Sequence, residues 1–226
     1  MQNRYPGGKN GSGVYQTIIN YIPPHRHYIE LFLGSGAIMR LKKRAETSFA
    51  CELNAAVIAA GNWPDDIAIS NCCALDWLKR ERNQMKSWNT GNFIYCDPPY
   101  PFSVRKSQRP IYQYEMTDSQ HRELLRLLLP LKCYVAISSY QNDLYDHILK
   151  DWNLVQFQAQ TRTGPAVECL YMNYPVPTEL HDYRYLGDDF IERQRIKRKI
   201  ERHVNRLREL PALERAAILS ALSSQF

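Results

Sequence analysis

A chain of 226 residues, 44% hydrophobic and 23% charged with a formal net charge of +6, can bury one sizeable core and carry a small appendage. No stretch is apolar for long enough to span a membrane, and Met1-Gln2-Asn3-Arg4-Tyr5 lacks the apolar core of a signal peptide, so a cytoplasmic protein is expected. The positive excess suits a polyanionic partner and gathers near the C-terminus, where Arg193 to Arg208 holds eight Lys or Arg against the single Glu201. The six cysteines, at 51, 72, 73, 96, 133 and 169, fall mostly in apolar runs with no matching His or Cys cluster, which reads as reduced core thiols and no metal.

The chain opens on Arg4-Tyr5-Pro6-Gly7-Gly8-Lys9, with Gly11 and Gly13 just beyond; glycines and a proline this dense preclude regular structure. Such a segment is either a loose terminus or a loop that turns backbone N–H groups and a lysine toward a ligand. A helical pattern from Val14 to Tyr21 closes at Pro23-Pro24. His27 to Leu33 reads as a strand, and Gly34-Ser35-Gly36 turns it into a helix from Ala37 to Arg44, a natural ligand seat. The dinucleotide fingerprint needs a further glycine where Met39 stands, so a nucleoside without a pyrophosphate is expected. Ser48 to Cys51 forms a second strand ending in Glu52. That carboxylate is placed either to take both hydroxyls of a ribose or to charge the start of the helix Asn54 opens. A third strand, Ile67 to Cys73, leads to Asp76-Trp77 at the start of another helix; taken alone, Asp76 reads as a helix cap and Trp77 equally as core.

The chain turns on the apolar strand Phe93 to Cys96, which stops at Asp97-Pro98-Pro99-Tyr100. That tetrapeptide arises by chance in such a chain with odds on the order of one in a thousand. It leaves a carboxylate and an aromatic at the strand's carboxyl end, where open α/β sheets put their sites. The segment Pro101 to Thr117 carries Arg105, Lys106, Arg109, Tyr112 and Tyr114, a basic and aromatic mixture that suits nucleic acid, or else a plain solvated loop. Thr117 or Asp118 caps a helix to Leu129, a strand Cys133 to Ser138 follows, and Asn142 starts a helix to Lys150. Strands Leu154 to Ala159 and Glu168 to Asn173 are joined through Thr161-Arg162-Thr163-Gly164-Pro165. The alternation predicts an α/β, Rossmann-like fold: a mostly parallel seven-stranded sheet with helices on both faces and an antiparallel edge strand. The domain is expected over residues 1–177, followed by a small helical extension over 178–226. In the predicted helix Asp188 to Leu210, Ile196, Ile200, Val204 and Leu207 make an apolar stripe opposite a basic face, and a second helix runs from Ala212 to Leu222. The stripe is open to two readings, packing on its own domain or forming a homodimer seam.

Set together, Tyr5-Pro6-Gly7-Gly8-Lys9, Phe32-Leu33-Gly34-Ser35-Gly36, Glu52-Leu53-Asn54, Asp76 and Asp97-Pro98-Pro99-Tyr100 stand in the order and register of the DNA adenine methylase (Dam-like) family. The chain resembles that family over about residues 4 to 173. The resemblance implies the fold of an S-adenosylmethionine-dependent methyltransferase, with S-adenosylmethionine as methyl donor and N6 of an adenine in DNA as acceptor. It implies that Phe32, Gly34 and Gly36 wrap the methionine part, Glu52 takes the ribose, Asp76 meets the donor's adenine, and Tyr5 and Lys9 approach donor and target pocket. Gly8, Ser35, Leu53, Asn54, Trp77 and Asp97 complete the expected cofactor set; Lys9, Arg105, Lys106, Arg109, Tyr112 and Arg162 are the expected DNA contacts. Relatives with this motif order carry a target-recognition insert between the Asp76 and Asp97 motifs, where this chain has only residues 77 to 96. The loop 101 to 117 and the basic helix 188 to 210 are left as candidates for sequence readout.

The expected catalytic residues are Asp97, Pro98, Pro99 and Tyr100. An adenine amino nitrogen is a poor nucleophile because its lone pair is delocalised into the ring. A carboxylate at Asp97 and the carbonyl of Pro98 can each accept one N–H and so localise that lone pair. The prolines restrict φ and hold Asp97 extended, presetting the geometry. Tyr100 is expected to stack on the extruded base. The same logic serves any exocyclic amine, so N4 of cytosine and adenine in RNA stay open as acceptors. A catalytically silent DNA-binding module is the alternative of another class.

Overall fold

The structure, a computed structural model, describes residues 7–11, 13–105, 110–161 and 164–225. The chain divides into two compact units, Met1–Tyr183 and Arg184–Phe226. In the first, strands β1 (His27–Leu31), β2 (Thr47–Glu52), β3 (Ile67–Asn71), β4 (Asn92–Cys96), β5 (Tyr134–Tyr140), β6 (Asn153–Thr161) and β7 (Gly164–Met172) form one sheet in the order β3-β2-β1-β4-β5-β7-β6. The pairs β2–β3, β1–β2, β1–β4 and β4–β5 are parallel, whereas β7 runs antiparallel to both β5 and β6. The expected seven-stranded, mostly parallel Rossmann-like sheet is therefore found, with its reversed strand one place in from the edge that β6 forms.

Strands buried on both faces must be apolar along their whole length, and β1 and β4, at the centre of the sheet, are buried at every position but the first. Alternation then sorts their side chains. Ile29, Leu31, Ile94, Cys96, Val135 and Ile137 face one way, in a core completed by Leu75, Leu78, Leu124 and Leu128 from α4 (Ala74–Met85) and α5 (Asp118–Leu128). Glu30 and Tyr95, partners across β1 and β4, face the other way. That face is polar beneath its rings: Tyr28 donates to Glu30 at 2.8 Å, and the hydroxyls of Tyr95 and Ser138 are 2.8 Å apart.

The remaining helices of this unit are α1 (Val14–Ile19), α2 (Ala37–Leu41), α3 (Ala55–Ala60) and α6 (Asp143–Ile148). Asn54 caps α3, Asn142 caps α6, and Thr117 with Gln120 forms a capping box on α5. The helix expected to reach Arg44 ends at Leu41 because Lys42 turns extended, at ψ 159°. The Lys42 stem is buried, its ammonium lies 4.0 Å from the Tyr28 ring centroid, and it donates to the Lys43 carbonyl at 2.9 Å; these contacts replace one more helical turn.

The chain leaves β1 toward β2 and β3, and leaves β4 toward β5, so strand order reverses between β1 and β4. At such a switch point the loops beyond the carboxyl ends diverge and open a crevice. Those loops are 32–36 and 97–101. The second unit consists of α7 (Phe190–Glu209) and α8 (Ala212–Gln225). Asp189 caps α7 by accepting from the Glu192 N–H at 2.7 Å, and α7 buries none of its residues.

Candidate active site

Beyond β1 the backbone turns left-handed at Phe32 (φ 65°), Gly34 (φ 50°) and Gly36 (φ 62°). Gly36 has no room for a side chain, since a Cβ there would lie 2.5 Å from the Trp63 ring. Phe32 bears a side chain in a conformation that costs on the order of 1–3 kcal/mol, so its surroundings must impose it. Glu52, at the end of the neighbouring β2, supplies the restraint. One carboxylate oxygen accepts the Gly34 N–H at 2.8 Å and the other accepts the Asn54 N–H at 2.8 Å. Each oxygen keeps a further lone pair for a ligand.

Beyond β4, Asp97 receives the Lys9 ammonium at 2.8 Å from its Oδ1. Lys9 is 5% exposed, 4.0 Å from Glu168 Oε2 on β7, and 4.8 Å from the centroid of Tyr100. The Tyr100 hydroxyl donates to Glu168 at 2.5 Å, and the ring stands edge-on to Tyr140 at 4.7 Å. Burial works against a charged Lys9, but the adjoining carboxylates of Asp97 and Glu168 outweigh it and hold its pKa above the ordinary lysine value. For Asp97, burial raises the pKa while the charge and hydrogen bond of Lys9 oppose the rise. The lysine thus keeps a buried carboxylate available as an acceptor.

Both loops border one cavity of about 340 Å³, within the usual range for small-ligand sites. Of the residues expected from the sequence, Gly8, Lys9, Phe32, Gly34, Ser35, Glu52, Leu53, Asn54, Asp97, Pro99 and Tyr112 line it. Tyr5, Lys106, Arg109 and Arg162 lie outside the described residues. Gly36 and Pro98 shape the two loops without lining the cavity.

Four expectations need correction. Asp76 is not on the cavity wall: α4 starts two residues earlier, at Ala74, which turns the Asp76 side chain outward, 75% exposed and 4.0 Å from Lys79. Cys72 and Cys73 line the wall in its place. Trp77 belongs to the core, 6% exposed and stacked on Phe49 at 5.1 Å. Tyr100 is also turned inward, at 7% exposure. Its bond to Glu168 and its contact with Lys9 make it part of the support for Asp97; the rings on the cavity wall are Phe32, Tyr95, Tyr112 and Tyr114.

Arg105 is no open phosphate contact. Its side chain is 4% exposed and its guanidinium meets both oxygens of Glu115 at 2.8 and 2.6 Å, and Glu115 also accepts the N–H groups of Ile111 and Tyr112. This pair ties the 110–116 segment into a compact turn over the cavity. Arg105→Gln is therefore expected to leave the salt dependence of DNA binding unchanged while exposing the turn. Limited proteolysis and a salt titration distinguish that outcome from the loss of nearly one unit of slope that a phosphate contact would produce.

Two buried carboxyls escape a reading by motif. Glu168 sits in β7, and Glu30 lines the cavity, its pKa pushed up to about 8, chiefly by burial. The available signal was an acid inside an otherwise apolar strand, which demands a partner.

The sheet order places a ligand site at its switch point, and part of the chain matches a family of methyltransferases. Residues 68–163 match the family of D12 class N6 adenine-specific DNA methyltransferases, and over that span, under half of the chain, the resemblance to DNA adenine methylases is borne out. The span contains Asp97 to Tyr100 but not the glycine turn or Glu52. Similar solved structures include precorrin 8w decarboxylase from Methanobacterium thermoautotrophicum, with a TM-score of 0.48 at 11% identity, covering 76% of this chain and 94% of that one. The N-methyltransferase NodS from Bradyrhizobium japonicum has a TM-score of 0.45 at 12% identity, covering 73% and 93%. Magnesium protoporphyrin IX methyltransferase from Synechocystis, solved with bound S-adenosylmethionine, has a TM-score of 0.44 at 7% identity, covering 72% and 76%. No curated protein matches the chain in sequence. Among the described residues no helix is long and apolar enough to cross a membrane, and no group of three or more His, Cys, Asp or Glu is placed to hold a metal ion.

Because Lys9 opposes the burial-driven rise in the Asp97 pKa, Lys9→Met is expected to raise that pKa further. Activity that needs Asp97 ionised should then fall away at a higher pH than in the unmodified protein. The acid limb of the kcat/KM profile, measured for both, reads the shift; an unmoved limb refutes the role given to Lys9.

Proposed function

We propose that the protein transfers a methyl group to the N6 amine of an adenine extruded from duplex DNA, with S-adenosylmethionine as the methyl donor. The observation that carries this reading is Asp97. It is a buried carboxylate at the carboxyl end of the central strand, paired with Lys9, on the wall of the cavity that the glycine turn and Glu52 also border.

The cavity's chemistry fits an adenosyl sulfonium. Glu52 has lone pairs left for vicinal hydroxyls, the strained turn at Phe32 and Gly34 forms a close backbone wall, and Leu53, Val57 and Leu75 offer apolar surface to a purine. When bound, the donor supplies an electrophilic methyl and a neutral thioether leaving group. On the protein's side, Asp97 accepts one N–H of the target amine, and a backbone carbonyl of the loop 97–101 accepts the other. Together they turn the nitrogen lone pair out of the ring plane. Lys9 holds Asp97 ionised and fixed, and Glu168 with Tyr100 holds Lys9, so acceptor geometry is set before the base arrives. Extrusion costs a few kcal/mol, offset in part where the base meets cavity rings such as Tyr112.

The test is methylation of unmodified duplex DNA with a labelled donor, followed by digestion to nucleosides. N6-methyldeoxyadenosine is the expected product. N4-methyldeoxycytidine would keep the site chemistry and change the acceptor; label entering RNA and not DNA, or no label at all, would refute the reading.

A further inference from the structure

The proposed activity needs a means of holding duplex DNA, and the cations first expected to do so are locked in the fold, as Lys9 and Arg105 are, or lie outside the described residues. The second unit supplies a different surface. On α7, residues 195, 199, 202 and 206 follow one another at spacings of three and four, and 198 lies three after 195 and four before 202 on the same side, so Arg195, Arg198, Lys199, Arg202 and Arg206 share one helix face. The face extends along roughly 16 Å of axis, at 1.5 Å per residue. All five side chains are exposed. Arg195 meets Glu192 at 3.1 Å, and among the described residues Arg198, Lys199, Arg202 and Arg206 form no ion pair.

This arrangement is unfavourable in the bare helix. Arg195 with Lys199, Arg198 with Arg202, and Arg202 with Arg206 are like charges one turn apart, and each such pair weakens a helix. A face needed only for solubility intersperses both signs. Unrelieved repulsion along one stripe is the mark of a polyanionic partner, and four of the five cations are arginines, whose planar fork bonds phosphate bidentately. The apolar residues Ile196, Ile200, Val204 and Leu207 occupy the opposite side of the helix. That apolar side carries neither Trp nor Phe, the rings that anchor a basic amphipathic helix in a membrane surface, so its composition favours nucleic acid over lipid.

Resting on the methyltransferase reading above, we infer that this basic face of α7 grips the phosphate backbone of the DNA duplex whose adenine is methylated. It thereby provides the hold on DNA that an insert between residues 77 and 96 does not.

The full chain and its variants are titrated against a fluorescein-labelled DNA duplex over a series of potassium chloride concentrations, by fluorescence anisotropy. Arg198→Gln with Arg202→Gln and Arg206→Gln is expected to make the slope of log K against log salt shallower by about 2.7, at about 0.9 per lost phosphate contact. Lys197→Gln, off this face and 3.9 Å from Glu201, is expected to leave the slope unchanged. Far-UV circular dichroism verifies that the helix persists; should the triple variant unfold, Arg202→Gln alone should shift the slope by nearly one. An unchanged slope with the helix intact overturns the inference, as does stronger binding to an RNA duplex or to phosphatidylserine vesicles than to DNA. If the unmodified protein methylates DNA while the slope stays put, this inference alone fails. If it neither binds nor methylates DNA, the functional reading fails with it.

Discussion

Asp97→Asn is expected to lower the rate of methyl transfer by roughly a hundred- to a thousand-fold, the usual cost of removing one preorganised electrostatic contact, while methyl-donor binding stays near its original strength. The amide keeps the shape of the carboxylate but loses its charge, and it cannot accept from Lys9 and from a target amine as strongly as the ion does. Glu52 and the turn at Gly34, the anchors proposed for the donor, are untouched by this change. Single-turnover transfer of a labelled methyl, alongside equilibrium dialysis of the donor, separates the two effects; parallel loss of both would show that Asp97 belongs to donor binding. Asp97→Ala is a poorer probe. It leaves Glu168, at 4.0 Å, as the carboxylate nearest Lys9, and removing one member of a buried ion pair costs about 3 kcal/mol of stability.

Glu52→Ala is expected to abolish useful donor binding, by more than about a hundred-fold in Kd, and to destabilise the fold by about 3 kcal/mol, since each of two charge-assisted hydrogen bonds contributes about 1.5–3 kcal/mol. Without the carboxylate the Gly34 and Asn54 N–H groups lose their acceptors, and the left-handed conformation at Phe32 loses its restraint. Isothermal titration with S-adenosylmethionine and urea unfolding measure the two quantities. Donor affinity that survives while stability falls would mean the turn is only structural.

A smaller effect is expected at Glu168→Gln. The amide can still accept from Tyr100 but removes one of the two negative charges beside Lys9, so the acid limb of the pH–rate profile should move while donor affinity holds. A profile identical to the unmodified protein's would make Glu168 a packing residue.

The motif carried by Asp97 to Tyr100 was legible because its parts are contiguous, and so was the turn at Gly34 to Gly36, because local backbone demands select glycine. Asp76 misled because its role depends on where a helix begins, and a shift of two residues rotates a side chain from the cavity wall into water. Arg105 looked like an open cation until Glu115, ten residues on, took both ends of its guanidinium. Tyr100 looked like a stacking platform until Glu168, from a strand reversed in the sheet, captured its hydroxyl.

By itself the sequence determined the alternation of strands and helices, and hence a mostly parallel sheet with its chemistry at the carboxyl end of a central strand. Those features follow from short-range patterns of apolar residues, glycine and proline. Only the tertiary structure decided which charges are spent within the protein and which face outward. The pairs Lys9 with Asp97, Tyr100 with Glu168 and Gly34 with Glu52 join segments far apart in the chain, and a carboxylate's partner is whichever donor the fold brings within about 3 Å of it.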